Sequence, residues 1–281
     1  MTRDEFLRTD EIPAARVLIT VKAYPKPSGK YEELVCTAGL LDGEHWIRIY
    51  PVPFRLLDDG SKYPKYAWVE MDLVRRKEKD FRPESFRPKR GIHEDIRVLD
   101  QISPRDSWRD RRTIVLKNVY DSMEKLISDA YSKPPVSLAT LKPTEVVDVI
   151  VEPADREWPE HWQAFLIEND LFEPREDGTK EPTKKVPYSF SYKFRTTDGK
   201  TRQLQIEDWE LGALYWNCLK AAADDEDRAV SQVREKYKSL ALRDIHFFLG
   251  TTLQYHQRKA PNPFIIIGVF YPPKLLQKEL F

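Results

Sequence analysis

Ala67-Trp68-Val69-Glu70-Met71-Asp72-Leu73-Val74 alternates residue by residue, and that alternation decides the fold. Successive side chains of a strand point to opposite faces. Ala67, Val69, Met71 and Leu73 therefore share one face, and Trp68, Glu70 and Asp72 share the other, which is the pattern of a half-buried strand. Towards the N-terminus, Arg16–Tyr24 (RVLITVKAY) is rich in β-branched and apolar residues and ends at Pro25-Lys26-Pro27-Ser28-Gly29, a strong turn signal. Glu33–Gly39 and His45–Tyr50 read as two further strands around the turn Leu41-Asp42-Gly43-Glu44, with Pro51 as the stop. Short strands separated by turns predict a small barrel or sandwich over residues 10–100.

Beyond this region the period changes. Val119, Met123, Leu126, Ile127 and Ala130 recur at helical spacing, so Asn118–Tyr131 is predicted as an amphipathic helix closed by Pro134-Pro135. Glu145–Val151 reads as a strand and Glu160–Asn169 as a short helix. Glu173–Pro187, polar and rich in proline, reads as an exposed loop. Tyr188–Thr197 and Thr201–Ile206 form a predicted hairpin around Asp198-Gly199, a type I′ signal. Two helices over Asp208–Ala221 and Asp224–Leu240 precede two apolar strands, Ile245–Leu249 and Phe264–Phe270. The expected layout is a β lobe at residues 10–110, a helical connector at 111–143 and an α+β lobe at 144–281.

The 281 residues carry 46 basic and 46 acidic side chains, so a nucleic-acid partner has to be argued from local charge. An aromatic share of 12% argues against a disordered chain. Two cysteines far apart, Cys36 and Cys218, make neither a disulfide framework nor a zinc site. No secretory signal is expected from the charged start MTRDEFLRTDEIP, and the longest apolar run, Pro263–Tyr271, is too short for a bilayer. The cytoplasm is the default address, and no membrane role and no cofactor is expected.

Neither common phosphate-cradling loop, GxxxxGK[ST] or GxGxxG, occurs, and GxSxG and HExxH are also missing from the sequence. No two of the five histidines stand at metal-ligand spacing. Glu70 and Asp72 share a strand face, which reads as solvated carboxylates or, for a nuclease, as oxygen ligands to a divalent metal. Two stretches carry more content. Arg75–Arg90 (RRKEKDFRPESFRPKR) sets eight basic residues, Arg75, Arg76, Lys77, Lys79, Arg82, Arg87, Lys89 and Arg90, against three acidic ones. Basic side chains interleaved with phenylalanines suit phosphates and stacked bases; equally, the segment is a solvated loop whose phenylalanines tuck into the lobe. In His45–Tyr50, Ile47 and Ile49 face the core, so Trp46, Arg48 and Tyr50 line up on the other face. That face is either an open stacking platform or a packed surface.

The run Leu34-Val35-Cys36-Thr37-Ala38-Gly39, followed by Trp46-Ile47-Arg48 and Pro51, resembles the dual OB domain family of bacterial conflict and defence systems. His246-Phe247-Phe248-Leu249-Gly250 and Phe264-Ile265-Ile266-Ile267-Gly268 fit the same resemblance, which covers most of the chain. It implies an α+β fold of two small OB-like β-barrel lobes with helical insertions, and a nucleic-acid- or nucleotide-binding role. The expected contact residues are Trp46, Arg48, Tyr50, Arg75, Arg76, Lys77, Arg82, Arg87, Lys89 and Arg90. The alternative is a protein-interaction subunit of a larger complex.

Overall fold

The computed structural model describes residues 1–28, 32–52, 54, 57, 62–91, 94–160 and 184–275. Most of the predicted helix Glu160–Asn169 and of the predicted loop Glu173–Pro187 lies outside the described residues.

The first region is a barrel. Its strands are β1 (Glu11–Lys22), β2 (Lys26–Ser28), β3 (Glu32–Leu41), β4 (His45–Val52), β5 (Ala67–Arg75), β6 (Ser85–Pro88) and β7 (Arg97–Gln101). Hydrogen bonds run β1-β3-β4-β6-β5, and β5 pairs back onto β1, which closes five strands on themselves. All of these pairs are antiparallel except β4 with β6. Closure leaves no open edge among the five. In β5 the alternation of the sequence is the alternation of burial: Ala67, Val69, Met71 and Leu73 are buried, while Trp68, Glu70, Asp72 and Val74 are half-buried. These inward residues meet Val17, Ile19, Ile47, Ile49 and Phe86 in one core. A short N-terminal helix, α1 (Arg3–Arg8), is capped by Thr2 and adds Phe6 to that core.

The second half of β1, Val17–Val21, is buried on both faces and is apolar but for Thr20. Val17 and Ile19 enter the barrel, whereas Leu18 and Val21 turn outward into a second cluster with Leu138, Phe248 and Phe270. A register shift between Ile19 and Val21 puts Val21 on the outer side. Gly39 permits this close packing, since a Cβ there would sit 2.2 Å from the Leu18 carbonyl oxygen.

The second region holds β8 (Val119–Tyr120), β9 (Leu138–Leu141), β10 (Glu145–Pro153), β11 (Tyr188–Arg195), β12 (Thr201–Gln205), β13 (His246–Thr251) and β14 (Phe264–Phe270). They form a three-stranded sheet, β10-β11-β12, and a four-stranded sheet, β14-β13-β9-β8, linked by one parallel bridge between Ile206 and Ile266. The helices are α2 (Arg105–Val115), α3 (Met123–Ala130), α4 (Trp209–Ala221), α5 (Glu226–Ala241) and α6 (Leu253–Gln257). Asp208 and Asp225 cap α4 and α5 through their side chains, as helix starts rich in Asp require. Leu211 and Tyr215 of α4 and Val233, Tyr237 and Leu240 of α5 pack on Phe190, Tyr192, Phe194 and Phe247.

Two expectations change. The stretch 111–143, read as a helical connector, also contributes β8 and β9 to the second region's sheet, and the helix expected from Asn118 begins only at Met123. Tyr120 is drawn into pairing with Leu141, and Ser122 then caps the helix. The turn at Asp198-Gly199 is not type I′, because only Gly199 has a positive φ. Asp198 instead keeps an ordinary backbone and its carboxylate accepts from the Glu124 and Lys200 amides and from Arg202.

Candidate nucleic-acid interface

Strand β4 places Trp46, Arg48 and Tyr50 opposite Ile47 and Ile49, as its alternation requires. The second region covers that face. Trp46 meets Phe248 edge-on, with ring centroids 5.4 Å apart. Arg48 is 5% exposed and donates to Ser85 Oγ at 3.3 Å, Ser137 Oγ at 3.1 Å and the Ser137 carbonyl at 3.3 Å. The open-platform alternative is thus corrected for this strand: strand periodicity says which side chains share a face, not what lies on it. Tyr50 is half-buried under the Arg76 guanidinium, 5.0 Å from its ring centroid.

Arg82 is buried too. It forms a two-pronged pair with Asp80, with Nε at 2.8 Å and Nη2 at 2.6 Å, and Nη1 reaches the Thr251 carbonyl at 2.5 Å. Ser85 donates to Asp80 at 2.7 Å, and Glu84 accepts from the Ser137 hydroxyl at 2.8 Å. Arg48, Arg82, Asp80 and Glu84 therefore make a balanced ionic network, buried where the two regions meet. Burial works against each charge. It pushes Arg48 down to about 10, with the neighbouring charge of Arg82 adding to the effect. Burial also raises Asp80, but the bonds and charge of Arg82 outweigh it and hold that carboxyl at about 2.

The other basic residues of the segment divide by environment. The Arg75 side chain is tied down by the carbonyls of Phe6, Thr9 and Pro83. Lys77 pairs with Asp10 at 2.7 Å and Lys89 with Glu11 at 2.8 Å, both at the surface. Arg87 is exposed and donates to the Pro88 and Lys89 carbonyls; Arg90 is also exposed. The two Phe-Arg-Pro repeats are not equivalent: Phe86 is wholly buried and Phe81 is 48% exposed. Glu70 is paired with Arg97, and Asp72 accepts from the Ala14 amide at 2.8 Å, so the carboxylates considered for metal binding are each engaged. No cluster of three or more potential metal ligands occurs among the described residues.

Phe81 is where the segment meets the second region in a usable way. The chain runs buried Asp80, exposed Phe81, buried Arg82, so the ionic network anchors the aromatic ring from both sides. The ring stands 4.8 Å from buried His256, edge-on. Tyr131, 37% exposed, meets the same imidazole at 5.4 Å. Tyr255, beside His256 on α6, is 47% exposed. His256 itself is fixed, with Nδ1 at 3.1 Å from Thr251 Oγ1 and Nε2 at 2.7 Å from the Ala130 carbonyl. Lys77, Lys79, Lys133, Arg258 and Lys259 are exposed on the segments carrying these rings. Tyr131 and Tyr255 were not read as site residues, because nothing local in the sequence marks them; the fold sets Tyr131 on the same imidazole as Phe81 and puts Tyr255 next to that histidine in the chain.

Burial lowers the pKa of His256, and it pushes His246, with help from nearby Lys142, down to about 4. The unfolded chain protonates His246 near pH 6.5, whereas the folded chain does so only near 4. The unfolded state binds more protons in between, so this contribution is full above pH 6.5 and is lost as the pH falls towards 4. A loss on the order of 3 kcal/mol is expected. Urea melts at pH 7 and 4.5 measure it, and His246→Gln should flatten the difference.

Residues 13–117 match the family model described as a domain of unknown function, DUF8758, and residues 119–281 match that of a second domain of unknown function, DUF8757. The junction between the two falls between α2 and β8. No curated protein matches the chain. No helix among the described residues is long and apolar enough to cross a membrane.

Proposed function

The chain belongs to the family described as domain of unknown function DUF8757, and from the surface described above we propose that it binds a single nucleic-acid strand across the junction of its two lobes. The observation that carries this reading is the pair of exposed aromatic rings, Phe81 and Tyr131, that meet His256 from two sides, with exposed Tyr255 next to it in the chain and exposed lysines and arginines on the same segments. Stacking on them is tolerant of sequence, because every base has a π-face. A duplex hides its base faces, so the partner is single-stranded.

Two OB-like barrels fit this role, since such barrels bind oligonucleotides through one sheet face and its flanking loops. Support for the first is the closed five-stranded path of antiparallel pairs with β4 and β6 parallel. Support for a second is the path β10-β11-β12, continued through the Ile206–Ile266 bridge to β14-β13-β9, with β9 and β10 consecutive in the chain. In this reading the first barrel spends its β4 face on docking the second lobe, and the strand lies on the loops instead. The bacterial defence role implied by the resemblance is not needed for it.

The test is a titration of labelled single-stranded and duplex oligonucleotides over a range of salt. Tighter binding of the single strand is expected, with a log–log salt slope of about 0.7 per phosphate contact. Equal binding of both forms, or no salt dependence, would sink the proposal.

A further inference from the structure

A cavity of about 580 Å³ opens between α1, the start of β4, β8 and β9, so both lobes line it. That volume lies within the roughly 300–1,000 Å³ of pockets that enclose small organic molecules. Leu7, Trp46, Val119, Val136, Leu138 and Ala139 make its walls largely apolar. Val119 is 37% exposed, so part of that wall is bare aliphatic surface. An occupant therefore needs an apolar body.

Most polar groups around the cavity are already engaged. Glu84, 7% exposed, accepts from the Ser137 amide at 3.2 Å and from its hydroxyl at 2.8 Å. Glu44 is paired with Lys117. His45 meets the Met1 carbonyl through Nε2 at 2.9 Å and stacks on Phe6, with ring centroids 5.2 Å apart. The Tyr120 hydroxyl donates to Asp129 at 3.0 Å.

Three donors are left over. The Arg3 and Asn118 side chains and the Trp46 indole N–H have no hydrogen-bond or ion-pair partner among the described residues. The charges around the cavity then fix the sign of the ligand. Glu44 and Lys117 cancel, and Glu84 is balanced within the buried network of Arg48, Arg82 and Asp80. Arg3 remains as one uncompensated positive charge on the lining. Its influence reaches Tyr120: burial and the bond to Asp129 push that hydroxyl up to about 12, and the Arg3 charge works against them. A guanidinium offers a planar fork of donors that matches one carboxylate with two parallel bonds. A doubly charged group would bring its second charge beside Glu44 and Glu84 with no further free cation on the lining to meet it.

We propose that this cavity binds a small organic monocarboxylate with an apolar body, its carboxylate held by Arg3 and Asn118 and its body lying against Trp46, Val119 and Leu138. None of these residues belongs to the Phe81 platform, so the cavity stands or falls separately from strand binding.

The experiment is calorimetry and thermal melting of the full chain with 2-naphthoate and octanoate, a flat and a flexible monocarboxylate. Their neutral amides and 2-naphthyl phosphate serve as controls. At least one of the two carboxylates is expected to bind, to raise the melting temperature and to bind more tightly than its amide. Arg3→Gln should weaken that carboxylate by roughly ten- to a hundredfold, the effect of losing one charged hydrogen-bond partner. It should leave the binding of the amide unchanged. Val119→Glu, at an exposed position, should also weaken the carboxylate, because it sets a negative charge on the wall. Phe81→Ala should leave carboxylate binding intact. Absence of heat and of any melting shift with both carboxylates at millimolar concentration would overturn the proposal. So would an amide or 2-naphthyl phosphate that binds as tightly as the carboxylate, or an Arg3→Gln variant that binds the carboxylate as the wild type does.

Discussion

Arg82→Ala is expected to destabilise the protein by about 3–5 kcal/mol, the cost of leaving a buried charge without its partner. The residue left behind is Asp80, 4% exposed, whose carboxylate now receives two bonds from the guanidinium. Without Arg82, Asp80 keeps Ser85 and loses the charge that holds it ionised. The Thr251 carbonyl loses a donor on the far side of the lobe junction. For a chain of this length the melting temperature should fall by roughly 10 °C. Replacing both partners, as Asp80→Ala with Arg82→Ala, should cost less than Arg82→Ala alone, because no uncompensated charge remains. Circular-dichroism melts of the two single variants and the double variant measure this. Additive losses in the double variant would show that the pair is not coupled. The same melts bear on charge reversal at Arg82 and Arg87 as a probe of phosphate binding. Arg87 is exposed and serves that purpose, whereas reversal at Arg82 would break the junction and report folding.

Four of the five strands that close the barrel, β1, β3, β4 and β5, were legible in the sequence, since a strand's period of two survives in its burial. β5 shows this directly, and Val17–Val21 of β1 shows the other case, a largely apolar run because both faces are covered. The second region's hairpin and last two strands were legible for the same reason. β6 was not. Ser85–Pro88 is only four residues of a segment dominated by charge, and its pairing with β4 and β5 is long-range. The same limit governed the site. Periodicity correctly set Trp46, Arg48 and Tyr50 apart from Ile47 and Ile49 but held no information about the partner on that face. Phe81 was visible within a basic stretch, while Tyr131 lies about 50 positions further along and joins it only through tertiary packing on His256, the neighbour of Tyr255 in the chain.

Alanine at Phe81, Tyr131 and Tyr255 together is expected to abolish strand binding, since each stacked base is worth roughly 1–3 kcal/mol. Single variants should each weaken binding by roughly 5- to 150-fold on that scale. Their stability should change little, because exposed side chains usually contribute within about 0.5 kcal/mol. Tyr131 is the partial exception, as its hydroxyl donates to the Ala260 carbonyl at 2.6 Å, and Tyr131→Phe separates that bond from the ring. The salt slope distinguishes stacking from charge. Aromatic variants should bind more weakly at every salt concentration with the slope retained, whereas Lys79→Ala and Arg258→Ala should each reduce it by about 0.7. Trp46→Ala is the contrasting case: its ring packs on Phe248 inside the junction, so its loss should lower stability and leave the intrinsic affinity of the folded protein intact. Anisotropy titrations of all these variants, each paired with a melting curve, decide the matter. A triple variant that melts like the wild type and still binds the single strand with wild-type affinity would remove the platform from the binding surface.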